Sequence, residues 1–421
     1  MILKVDFIFD NSRLEFIFEC EESEPKASAT AVMAKDRFFV ELPSNLDKKE
    51  IHPDHLALSA FLSIRPWIHN SLSFSQPISR RLAVALEKFR LTVGPIDDEL
   101  QPYDSGSGKY IGLAFSGGAD STAALSVLPS TTVPVFLNRP EIQNSLYSKE
   151  AAVSACNSLK KIGYNCIMLD SDLETIRQPI GFPTDLSNGI PVILLAQSLK
   201  IFGISFGTIL ESLYGIGRLQ YRDYEDTSHK KMWWNIFDAA GLPLTFPVGG
   251  VSEVGTELIC SRASIGSLAQ SCIRGTKEQP CYACWKCFRK TTLRNSLGLE
   301  STNKSRIMKL IYNKEVITKL SAMPINHENV LIYTFSRVNE ENFPPHFNVR
   351  FAYDKPIDFL ERWYSPSAAW IDMRIREEVS EKIQKYISPM DNRDEKLVIG
   401  WNNEERIKLL TPLNYPTPRD I

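Results

Sequence analysis

The chain has 421 residues, which at roughly 150 residues per domain points to two or three domains. A composition of 43% hydrophobic and 23% charged residues is that of a globular protein able to bury a core. Forty-eight basic against fifty acidic residues leave a formal net charge of −2, which excludes a chain that grips a polyanion through its bulk charge. Asp6, Asp10 and Glu15 interrupt the apolar N-terminus where a secretory leader needs an unbroken run, and no stretch approaches the ~20 apolar residues that span a bilayer. A cytoplasmic location without a membrane anchor is the expectation.

Residues 1 to about 45 alternate apolar and polar side chains in LKVDFIF, LEFIFEC, TAVMA and RFFVEL, which predicts a small antiparallel sheet. From His52 the spacing becomes helical, in LALSAFLSI and then ISRRLAVALEKF, the second opened by Pro77-Ile78-Ser79. The polar, turn-rich stretch from Pro95 to Gly108 reads as a linker. An α+β N-terminal module over 1–97 and a linker over 98–108 are therefore expected. From Lys109 strand and helix patterns alternate: KYIGLAF, STAALSVL, VPVFL, KEAAVSACNSLKKI, NCIMLD, PVILLAQSLKIF and ISFGTI. This predicts a doubly wound, mostly parallel α/β sheet over 109–298, whose ligands bind beyond the strand C-termini. Residues 299–421 carry helical pieces such as SRIMKLIY and WIDMRIREEVSEKIQKYI and predict a mainly helical C-terminal region.

Two motifs carry chemistry. After the first strand of the α/β unit comes Ser116-Gly117-Gly118-Ala119-Asp120-Ser121, and a helix opens at Thr122. Adjacent glycines let the backbone aim successive N–H groups inward, and the hydroxyls of Ser116, Ser121 and Thr122 add donors at a positive helix end. Such a loop cradles an anion, although a tight turn with Asp120 capping the helix uses the same residues. The second motif is Cys272-x8-Cys281-x2-Cys284-x2-Cys287, four thiols in one excursion. Tetrahedral Zn²⁺ in a closed structural site is the expected occupant, with an iron-sulfur cluster as the rival.

Strand-Ser-Gly-Gly-x-Asp-Ser-helix resembles the PP-loop of the N-type ATP pyrophosphatases, the adenine nucleotide alpha hydrolase-like enzymes that split ATP between the α and β phosphates. The cysteine spacing followed by a basic helix, about 150 residues after the loop, is similar to the 7-cyano-7-deazaguanine synthase family. The resemblance covers roughly 109–298. It implies ATP, Mg²⁺ and Zn²⁺ as cofactors, and a pyrophosphate grip by Ser116, Gly117, Gly118, Ala119, Asp120, Ser121 and Thr122. Ser116 and Asp120 would act in catalysis, and Cys272, Cys281, Cys284 and Cys287 would ligate zinc. The implied reaction is adenylation of a carboxylate, on a deazapurine or a protein-linked acceptor, followed by amide or nitrile formation. The added N- and C-terminal regions resemble the layout of related proteins in anti-phage defence, which implies a protein partner.

The family's Arg-Asn pair is replaced by Asn188-Gly189, and its acidic segment by GRLQYRDYEDTSHKKMWWNIF. There Arg222, Asp223, Tyr224, Glu225, Asp226, Lys230 and Lys231 read either as an acceptor-binding set or as a solvated loop. His229 reads as a proton carrier or a structural histidine. Cys156, Cys166, Trp233, Trp234 and Phe237 read as core. Two alternatives stand beside the synthetase. One is a tRNA-modifying enzyme, for which Lys286, Arg289, Lys290 and Arg294 would supply a basic face. The other is a catalytically silent nucleotide-binding subunit.

Overall fold

In the computed structural model, residues 2–19, 31–142, 147–301, 303–322, 324–338 and 351–410 are described. Cys20, Thr30 and the tail segments 339–350 and 411–421 lie outside them.

The first sheet is built from β1 (Ile2–Asp10), β2 (Arg13–Glu19), β4 (Arg37–Glu41), β5 (Ser71–Ser79) and β6 (Thr92–Asp97), in the order β4-β2-β1-β5-β6. The first three pair antiparallel, as the alternation predicts, and bury one face: Phe16 stacks on Phe38 with ring centroids 4.5 Å apart. The other two pair parallel, which the sequence reading did not anticipate. In β5 the apolar residues are spaced by serines and end in Pro77-Ile78-Ser79, a combination that resembles a helix start. Ser79 instead closes the strand and caps α2 (Arg80–Glu87) by accepting from Leu82 N–H. The sheet is thus mixed, because two crossover helices, α1 (Pro53–Ile64) and α2, return the chain in the same direction. Beyond its first residue α1 is buried throughout, packed between its own sheet and α5 (Ile190–Leu195) of the second unit.

The second sheet is wholly parallel: β7 (Tyr110–Ala114), β8 (Val133–Asn138), β9 (Ile167–Asp170), β11 (Ile201–Ser205) and β12 (Leu244–Thr245), in the order β12-β11-β7-β8-β9. The chain starts at the central strand, builds outward to β9, then crosses back to place β11 on the other flank of β7. Near-continuous burial along β8 and β11 reflects helices on both faces. The switch in direction lies between β7 and β11, where such sheets open a crevice at their C-terminal ends. A short pair, β3 (Val32–Met33) with β10 (Arg177–Gln178), joins the two units. Tyr103, within the segment read as a linker, packs its ring against His55 and donates its hydroxyl to Ile201 O at 2.9 Å and Ala196 O at 3.2 Å.

The C-terminal region is helical and folds back on the second sheet. Phe246 N–H donates to Trp370 O at 3.0 Å, and Tyr364 N–H to Gly250 O at 2.9 Å. Gly250 lies so close to this strap that an added Cβ would stand 2.1 Å from Ser367 Oγ. Trp370 packs against Trp234 and the buried Tyr224, so part of the charged segment 218–231 is covered by the tail rather than solvated.

Candidate functional site

The loop after β7 sits at the switch point. Gly117 takes φ +73°, a left-handed conformation cheap for glycine, and packs so that a Cβ would lie 3.1 Å from Ala152 Cα. Gly118 is the N-cap of α3 (Ala119–Val127) without a side-chain cap. Asp120 therefore does not cap the helix; it lies in the first turn and accepts from Thr256 Oγ1 at 2.9 Å. Ser116 and Ser121 hydroxyls stand 3.1 Å apart, with Ser121 Oγ donating to Gly118 O. Gly207, after β11, closes the other wall: a Cβ there would be 2.8 Å from Ser121 N. Thr122 is buried in the first turn of α3, and its hydroxyl has no hydrogen-bond partner among the described residues.

The four cysteines converge after α8 (Glu253–Arg262). Their sulfurs all lie within 4.8 Å of one another, Cys281 Sγ and Cys287 Sγ at 3.7 Å, and three of the four residues are buried. Tetrahedral zinc with Zn–S near 2.3 Å requires S···S edges of about 3.8 Å. The set can therefore hold a metal ion such as zinc. Backbone N–H groups of Cys281, Ala283 and Cys287 point at Cys272, Cys281 and Cys284 sulfurs at 3.4 Å, the arrangement that stabilises thiolates in a knuckle. Among the described residues every cysteine is free of disulfides.

The two motifs touch. Gln270 N–H donates to Gly117 O at 2.8 Å, and Ser271 Oγ accepts from Ala119 N–H at 3.1 Å, immediately before Cys272. Four cavities run in series from this junction. One of about 640 Å³ lies between α8, the cysteine turn and α9 (Trp285–Ser296), and one of about 120 Å³ borders Ser116 and Gly118. Across Ser116, Phe182 and Asn188 this leads to one of about 540 Å³, which also holds Asp120, Asp185 and His229. Through Ser212, Leu213 and His229 it continues into one of about 700 Å³ bordered by Arg218, Arg222 and Asp226.

His229 thus stands where two cavities meet. Its Nδ1 lies 3.0 Å from Tyr224 Oη, and burial lowers its pKa, opposed by Asp185, so the ring is neutral near pH 7. Arg222 and Asp226 border the cavity of about 700 Å³, whereas Asp223 caps a turn and Lys230 is spent on Glu225 at 3.0 Å and on the faces of Trp234 and Trp370. Trp233 and Phe237 are core.

Behind the loop lies a buried ion cluster that sequence reasoning missed. Glu253, 1% exposed, meets Arg289 at 2.6 Å, Lys290 at 3.2 Å and His327 at 3.0 Å. Glu257 takes Lys290 and Arg294, each at 3.0 Å. Burial alone would raise the Glu253 carboxyl, but Arg289, Lys290 and His327 together hold it well below the usual range. Its N–H donates to Glu211, whose own carboxyl is raised by burial. Of the four basic residues read as a face for tRNA, Arg289 and Lys290 are therefore buried and neutralised internally, Arg294 is paired with Glu257 but partly exposed, and Lys286 is exposed. The available signal was the spacing of Glu253, Thr256 and Glu257 on one helix face opposite Arg289, Lys290 and Arg294 on another.

Residues 232–402 match the model of a family of unknown function, DUF6395. No curated protein and no solved structure matches the chain. The matched span contains the four cysteines, Thr256, the ion cluster and most of the returning tail, and begins downstream of the loop and of His229.

Proposed function

We propose that the chain is an ATP-dependent, AMP-forming synthetase of the 7-cyano-7-deazaguanine synthase kind, adenylating a carboxylate for amide or nitrile formation. The observation that carries this reading is the junction itself. A glycine-rich loop at the sheet's switch point is held by hydrogen bonds from the residues that lead into a four-cysteine site. These are the two motifs on which the family resemblance rests.

In this reading the loop N–H groups and the Ser116 and Ser121 hydroxyls receive the pyrophosphate as charge builds on it, which lowers the barrier by preorganised donation. Asp120 would hold the Mg²⁺ that accompanies the triphosphate, an ion that supplies charge neutralisation. The acceptor carboxylate lies in the cavities shared by Ser212, Leu213 and His229, with Arg218 and Arg222 at their far end to attract it. Its oxygen bonds to the α-phosphorus as the bond to the bridging oxygen breaks. An amine then attacks the acyl carbon and AMP leaves, and the neutral His229 ring is placed to take the amine's proton. The four-cysteine site would hold zinc as structure, since no coordination position is left open.

Asp120→Ala and Ser116→Ala tests the loop. Both variants are expected to fold and to lose pyrophosphate release, and unchanged turnover in both would remove the loop from the mechanism. ATP binding without AMP from any acceptor would favour a nucleotide-binding subunit without turnover.

A further inference from the structure

The loop carries no cation of its own: Ser116 to Ser121 offers only neutral donors and one carboxylate. A pyrophosphate or triphosphate there needs positive charge, and most basic groups nearby are already committed. Lys290 pairs with Glu253 and Glu257, Arg289 with Glu253, Arg294 with Glu257 and Glu300, and Arg139 with Glu174 at 2.6 Å. Lys286 differs from all of them. Carried between Cys284 and Cys287 at the start of α9, its side chain is solvent-accessible inside the cleft. It borders both the cavity against Ser116 and Gly118 and the cavity against Ala119. Among the described residues its side chain has no ion pair or hydrogen-bond partner.

We propose that Lys286 is the polyphosphate-binding cation of this site, delivered to the glycine-rich loop from the cysteine turn. The inference rests on the reading of the loop as an anion cradle and adds its missing charge. In phosphate loops with an internal lysine, the cation and the N–H groups come from one segment. Here they come from segments about 165 residues apart in sequence. Segment 270–272 pins the loop, and Lys286 lines the same two cavities beside it, both carried by the run that forms the four-cysteine turn. The chemical class of the ligand follows: an inorganic or nucleoside polyphosphate, whose charge a single ammonium and a nest of N–H groups complement.

The test is calorimetric binding of magnesium pyrophosphate to the full-length chain, metal content per chain being measured for each sample. Lys286→Met is expected to weaken binding by about ten- to a hundredfold, the range for losing a charged hydrogen-bond donor. Lys286→Arg is expected to retain most of the affinity, and added salt to weaken wild type more than Lys286→Met. A structural role would not move that salt dependence. If Lys286→Met lowers the metal content, Lys286→Gln is read by the same criteria. Wild-type binding that survives Lys286→Met unchanged would overturn the role of Lys286 and leave the loop reading standing. A wild type that binds neither magnesium pyrophosphate nor magnesium ATP would overturn both.

Discussion

Glu253→Gln is the sharpest probe of how the crevice is supported. The side chain is sealed, and its carboxylate is the acidic partner of Arg289 at 2.6 Å. Lys290 keeps Glu257 at 3.0 Å after the substitution, but Arg289 has no second acidic partner within ion-pair distance among the described residues and is left as a buried, unpaired cation. Removing one partner of such a pair costs about 3–5 kcal/mol, and the retained glutamine oxygen, still an acceptor, places the expected loss near 3 kcal/mol. Urea unfolding followed by tryptophan fluorescence and far-UV circular dichroism measures it. Glu253→Gln combined with Arg289→Met should be more stable than Glu253→Gln alone by at least about 1 kcal/mol, because the orphaned charge is gone. The pH dependence has a fixed sign. Since the folded carboxyl is held below its ordinary value, its contribution is present above about pH 4.5 and fades as pH falls, so wild type and variant should converge in acid. A loss under about 1 kcal/mol, independent of pH, would mean that water reaches the cluster and that it does not brace the loop.

Other consequences can be checked separately. His55 is buried and lowered to about 3, first by burial and then by His52, so the unfolded chain takes up a proton that the folded chain refuses. Stability should fall by about 1.4 kcal/mol per pH unit between pH 6 and 4 from this group, and His55→Gln should remove that slope in urea titrations. Ser271→Ala deletes the acceptor for Ala119 N–H and should weaken ATP binding about two- to tenfold by equilibrium dialysis, the value of one neutral hydrogen bond. Stripping metal from the cysteine site with a strong chelator should weaken ATP binding too, because Gln270 and Ser271 lead directly into Cys272; an unchanged isotherm would uncouple the sites.

Much of this arrangement was legible in the sequence because it rests on local signals. Buried apolar runs separated by helices announced the parallel sheet, and the cysteine spacing announced the cluster. The parallel strands β5 and β6 were not legible, since serine-spaced apolar residues ending in Pro77 have no strand signature apart from their partners. The ion cluster left only a weak signal, complementary charge spacing on two helices, because Glu253 and Arg289 are ordinary surface residues by composition and are paired and buried only in the fold. His229 was visible but ambiguous. Its partner Tyr224 is packed by Trp370 of the returning tail, more than a hundred residues later in the chain.

The most direct measurement is the fate of ATP. The full-length chain would be incubated with Mg-ATP, ammonium and 7-carboxy-7-deazaguanine, with Asp120→Ala as control, and the nucleotides resolved by chromatography. AMP and pyrophosphate in equal amounts, dependent on acceptor and lost in Asp120→Ala, is the predicted result. Formation of ADP and phosphate would contradict cleavage between the α and β phosphates and with it the proposed function.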